Sequence, residues 1–191
     1  VDLANAGLTG PHDALEGPFG YFRMFEAGVI ERYSATIGSG WRIAEVSLKP
    51  WPSGRAAHAT LGVLAAMIRD AGVTAAQVHE VQAHVPPLVG RMIGRPWVPE
   101  MTPAYARLCL PLLVALMLSE GRIDPRRFDA ATFTDANLRA IGDRVRIVEV
   151  AGDANALAPQ RIVVLLGDGR VLDRQVATGL GHPANPLPAA E

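Results

Sequence analysis

The chain has 191 residues, 49% of them hydrophobic, with 18 basic and 19 acidic side chains and a net charge of −1. Charges of both signs are interspersed, which excludes a nucleic-acid footprint and a polybasic membrane patch, and the longest apolar stretch, Leu108 to Leu118, is too short to cross a bilayer. The single cysteine, Cys109, excludes an internal disulfide framework and a cysteine metal cluster; it is expected to be a buried small hydrophobe in a reducing, cytoplasmic compartment.

Val1 to Leu8 reads as the last turns of a helix closed by Gly7, and Thr9 to Gly17 as loop. Phe19 to Phe25 is dense in aromatics and predicted helical, packing on two sides. Ile37 to Gly40 is a Gly-Ser linker. Trp41 to Leu48 alternates like a half-buried strand. Ser53 is expected to cap a helix that runs to about Ala71 and stops at Gly72, with Leu61, Leu64, Ala65 and Ile68 at helical spacing.

Val78 to Val85 reads as a second strand, with His79, Val81, Ala83 and Val85 on one face. Pro86 to Pro99 reads as a long proline-rich loop of functional or mobile character. Thr102 to Ser119 is a strongly apolar helix, and Thr134 caps a short one reaching Ile141. Val145 to Val150 is a third strand. Arg161 to Leu166 and Val171 to Val176 form a hairpin around Gly167-Asp168-Gly169. About five strands and four helices in mixed order predict an α+β fold: a mixed, mostly antiparallel sheet with helices packed on one face. Pro186 onward looks like the first turn of a helix. Both ends read as cut, so the expectation is a piece of a longer protein or one part of a split one.

Lys49 is the only lysine; the other 17 basic residues are arginine. An ammonium can exchange protons once its pKa is moved, whereas a guanidinium stays charged. Lys49 opens the run to His58 across a predicted strand-to-helix junction. Pro50 and Pro52 stiffen it, Gly54 allows close approach of a ligand to the backbone, and Ser53 stands at the expected helix start. Free amides there, with Arg55, favour a carboxylate. The cluster suits proton abstraction at an α-carbon or loss of a β-hydroxyl. The competing structural reading makes Lys49 an ion-pair residue, Arg55 a solvated helix residue and His58 a packed one.

His182 lies in a defined Gly-Pro loop, and its structural alternative is a turn histidine. His79 and His84 are placed on opposite faces of one strand, and the chain has no His-Glu-x-x-His motif, so no metal is expected.

The run Lys49-Pro50-Trp51-Pro52-Ser53-Gly54-Arg55-Ala56-Ala57-His58, followed by an alanine-rich helix, resembles the central motif of the MmgE/PrpD family. The similarity continues through Ala106 to Leu116, Glu120 to Ile123, Asp143 to Ile147, the Gly167-Asp168-Gly169 hairpin and Gly181 to Leu187. Upstream, Gly10 to Gly17 also fits.

The family includes 2-methylcitrate dehydratase, cis-aconitate decarboxylase and iminodisuccinate epimerase, which share an acid/base step beside a carboxylate and need no metal or other cofactor. The resemblance implies an all-helical domain plus a smaller α+β lid, typically in a homodimer. On that pattern, 1–40 is a remnant of the helical domain and linker, 41–180 the lid, and 181–191 a return segment. The rest of the helical domain would come from a missing segment or a second chain. In that case the aromatics of Phe19 to Phe25 and the Leu108 to Leu118 helix would form an interface.

The resemblance assigns Lys49 and His58 as catalytic. Arg55, Gly54 and Ser53 become the binding residues for a small carboxylic acid. Decarboxylase-like members carry histidine where this chain has Gly54, which argues against decarboxylation. Many members read Phe-Ser-Leu-Pro-Tyr where this chain has Leu108 to Leu112, so a hydroxyl is lost at Leu112. The expected function is dehydration of a small hydroxy-polycarboxylic acid. The alternatives are the family's epimerase, isomerase or decarboxylase chemistry, and a non-catalytic lid fragment or one subunit of a two-chain enzyme.

Overall fold

The computed structural model describes all residues except 26–30, 32–33, 153–154, 156 and 189–191. The chain divides into two compact units, Val1–Glu45 and Val46–Glu191.

In the first unit the described residues include two short helices, α1 (Asp2–Asn5) and α2 (Tyr21–Met24). Gly7, at φ 87°, turns the chain after α1. Phe19, Met24 and Phe25 are exposed. The strand expected over Trp41 to Leu48 does not form: Arg42–Glu45 is a 3-10 turn and the following residues are irregular. Alternation alone cannot make a strand, which also needs a neighbouring ladder. Here Leu48 donates one backbone hydrogen bond, to the Gly181 carbonyl at 2.8 Å.

Among its described residues the second unit contains four strands: β1 (Val78–Val85), β2 (Val145–Glu149), β3 (Gln160–Leu166) and β4 (Val171–Val176). Their order is β2-β1-β3-β4. The β1–β2 pair is parallel, and the β1–β3 and β3–β4 pairs are antiparallel. The fold is therefore α+β with a mixed sheet, as the pattern predicted, with four strands rather than five. One face is apolar and buried, through Val81, Ala83, Ile162 and Val164. The other carries a polar row in which Gln82 bonds Glu80 and His84. A bulge between Val78 and Glu80 shifts the parity, so His79 is exposed instead of joining Val81, Ala83 and Val85.

Against the apolar face pack α3 (His58–Ala71) and α6 (Leu110–Glu120). Leu61 and Leu64 of α3 are fully buried, and Gly72 ends that helix at φ 59° with its amide on Ile68. The helix does not start on Ser53. A 3-10 turn, Arg55–Ala57, precedes it, and no side chain caps either element.

The Pro86 to Pro99 segment is not a loop throughout, because α4 (Pro87–Ile93) occupies half of it. Proline at the first helical position starts a helix readily, since that amide has no intrahelical acceptor anyway. Trp97 beyond it is buried, donating from Nε1 to the Phe133 carbonyl at 2.8 Å. The long apolar helix is split into α5 (Pro103–Ala106) and α6. Pro111 has no amide for an interior bond, so the helix restarts just before it, at Leu110. Leu110 and Leu112 to Leu118 are buried in the core of this unit, so α6 is not an exposed partner surface. Cys109 is buried, and burial pushes its thiol up to about 11. No helix among the described residues is long and apolar enough to cross a membrane.

Thr134 is not a helix cap. It closes α7 (Ala130–Phe133), while Asp135 caps α8 (Ala136–Gly142) by accepting from the amides of Asn137 and Leu138 at 2.8 and 3.1 Å. Of the turn expected from Pro186, residues 186–188 are irregular and the rest lies outside the described residues. Replacing Asp135 with Ala is expected to cost about 1 kcal/mol of stability, and Thr134→Ala at most about 0.5 kcal/mol. Chemical denaturation measures both; the reverse order would return the cap to Thr134.

Candidate active site

The run from Leu48 to His58 is held by backbone bonds to distant segments. Leu48 donates to Gly181, and Gly54 donates to the Arg107 carbonyl at 2.9 Å. Gly181 has φ 88°, and a Cβ there would land on the Leu48 carbonyl oxygen, so only glycine fits. The turn around Gly181 is itself braced. The Gly181 amide donates to the Asn185 carbonyl at 2.8 Å, and Asn185 Nδ2 donates to the Thr178 carbonyl at 3.0 Å. The Gly-His-Pro loop is thus a buttress for the lysine segment.

Lys49 is exposed at the end of that segment. His58 is fully buried, with its ring edge-on to Trp51 at 5.4 Å between centroids. Neither ring nitrogen makes a hydrogen bond. Burial, and then the charges of Arg55 and Lys49, push the His58 pKa down to about 4; the nearby backbone of Leu180 and Trp51 offsets only part of this. His58 is therefore a neutral imidazole at pH 7. Arg55 is half-buried, its Nε is buried without a partner, and desolvation lowers its pKa. It remains a cation.

The structure thus brings Lys49, Arg55 and His58 into one electrostatic neighbourhood. Ser53 is buried, and its hydroxyl reaches only the Gly54 carbonyl, at 3.5 Å. Gly54 faces Leu108: a Cβ would strike that side chain's Cδ2. Leu112 is fully buried, so a hydroxyl at that position would lie in the core.

Two residues join the site that the sequence did not assign to it. His182 and Gln160 line a slot of about 10 Å³ together with Arg55. Gln160 is 3% exposed and donates from Nε2 to the Ala56 carbonyl at 2.8 Å, while its Oε1 has no partner. The glycines and prolines around His182 marked a fixed loop. Gln160 stands one residue before the strand expected from Arg161, and no local signal singled it out. A wider groove of about 400 Å³ runs along α3 past His58, bordered by Leu172, Leu180 and Asn185.

The second unit thus gathers two cations and a neutral imidazole at one buttressed junction. A family model for the MmgE/PrpD C-terminal domain matches residues 51–191, and the chain belongs to the MmgE/PrpD family. Arg55, His58, Gln160 and His182 lie inside the matched segment; Lys49 stands two residues before it. No curated protein matches the chain.

The buried imidazole makes stability depend on pH. The folded value, about 4, lies below the ordinary 6.5, so between these pH values the unfolded chain binds the proton that the folded chain refuses. Stability conferred by neutral His58 is complete above pH 6.5 and is lost as pH falls toward 4, at up to about 1.4 kcal/mol per pH unit. Denaturation of the wild type and His58→Leu across this range is expected to show the steeper slope in the wild type. Parallel slopes would mean that His58 titrates normally.

Proposed function

We propose that this chain is part of a lyase-type enzyme whose acid/base work is done by side chains. Its reaction is dehydration of a small hydroxy-polycarboxylic acid of the 2-methylcitrate kind. The observation that carries this reading is the single lysine of the chain standing exposed beside Arg55 and a neutral, unpartnered His58. Membership of a family of acid/base enzymes supports it.

In such a reaction a base takes the proton from carbon, and the C–H electron pair becomes the new double bond. The C–O pair leaves with oxygen, which departs as water after taking a proton. Lys49 is assigned proton transfer or carboxylate contact, and Arg55 anchors a carboxylate. Burial is the main cause of the low His58 pKa; a carboxylate would offset only the part that the Arg55 and Lys49 charges add, and to that extent the imidazole would accept a proton more readily. A residue of the helical domain outside this chain shares the acid/base work. Homodimeric assembly and cytoplasmic location belong to the same reading. The exposed apolar side chains Phe19, Met24 and Phe25 support contact with further helical structure, and the free, buried Cys109 suits a reducing compartment.

Assayed in its native length and assembly, the protein is expected to convert the hydroxy acid to its unsaturated product, followed by ultraviolet absorbance. Lys49→Met should lower turnover by roughly 10²–10⁴-fold, the usual range for losing one acid/base group. The melting curve should not move, because Lys49 is exposed. Turnover retained in that variant would remove Lys49 from the mechanism.

A further inference from the structure

We propose that the slot between the Arg55–Ala57 turn and β3 receives the hydroxyl group of the substrate, with Gln160 Oε1 accepting a hydrogen bond from it. This rests on the dehydratase reading and adds to it a place for the group that leaves. Three observations converge on the slot.

The first is size. At about 10 Å³, the slot has room for one water-sized oxygen and little more. A whole acid does not enter; a single substituent does.

The second is the acceptor. The Ala56 carbonyl takes a hydrogen bond from the Gln160 side chain, which fixes the amide with its nitrogen toward Ala56. Oε1 is therefore the free end, buried and unpartnered. A buried acceptor without a donor is costly, so a ligand that donates there gains affinity.

The third is the set of donors. Arg55 Nε–H is buried and unpartnered, and the same residue lines the slot. Across from it, His182 Nδ1 accepts from the Ala184 amide at 3.0 Å, so the neutral ring carries its proton on Nε2. Residues that carry a free acceptor and free donors therefore line the same slot.

One oxygen that both donates and accepts satisfies such a lining, and a hydroxyl is that group. A carboxylate oxygen would set its lone pairs against those of Gln160. An ammonium would face the Arg55 guanidinium. The carboxylates of the acid stay outside the slot, within reach of the cations. Held this way, the hydroxyl oxygen gains negative charge against Arg55 Nε–H as its C–O bond breaks, and the space suits the water that results.

The test compares citrate with tricarballylate, which keeps the three carboxylates and lacks the hydroxyl. Calorimetric titration of the full chain is expected to give citrate at least about tenfold tighter binding. In Gln160→Leu that preference should fall below about twofold, with the tricarballylate affinity unchanged. Should the leucine variant fail to fold, His182→Ala gives the same readout from the facing wall, weakening citrate more than tricarballylate. Equal affinities in the wild type, or a preference that survives in the variants, overturn the inference while leaving the dehydratase reading standing. Failure of both acids to bind overturns the two together.

Discussion

One backbone hydrogen bond joins the two ends of the second unit: the Leu48 amide to the Gly181 carbonyl, at 2.8 Å. The contact is so close that residue 181 has no room for a side chain, and its backbone takes a conformation that suits glycine alone. Lys49 follows Leu48 directly, so the position of the lone ammonium is set by a turn more than a hundred residues later. The same turn places Gly179 against His58 and His182 beside Arg55. The sheet and the helices on it serve as the frame that brings residues 48 and 181 together.

Electrostatics gives this arrangement its direction. The His58 imidazole is wholly buried, and burial, with the charges of Arg55 and Lys49 added, keeps it neutral. In the absence of a ligand this is an unfavourable grouping, with orphaned polar atoms on Arg55, His58 and Gln160. On the proposed reading, a polycarboxylic acid would relieve it by bringing negative charge to the cations and a donor to Gln160. Unsatisfied buried groups at a site are a common sign that the structure is arranged for something it binds.

Much of this was legible in the sequence, for local reasons. The Lys49 to His58 run is contiguous, so its chemistry could be read without knowing the fold. The β3–β4 hairpin announces itself through Gly167-Asp168-Gly169, and β1 and β2 through their runs of β-branched residues. What was hidden depends on contacts between distant residues or on the two roles of proline. Pro87 and Pro111 begin helices here, where a cluster of prolines suggested a loop in one case and an uninterrupted apolar run suggested one helix in the other. Trp41 to Leu48 alternates but has no ladder to join. Gln160 meets Ala56 across 104 positions, and nothing in its local sequence marks it.

The central claim is that Lys49, Arg55 and His58 act as one acid-binding group. Its most direct test is a nuclear magnetic resonance titration of the His58 ring, with and without saturating citrate. The account predicts a pKa near 4 in the free protein. With citrate bound it should rise, because the carboxylates offset the Arg55 and Lys49 charges, while burial, the larger cause, still holds it below the ordinary value of 6.5. A His58 pKa that stays the same while citrate is bound would show that the acid sits elsewhere, and would contradict the account.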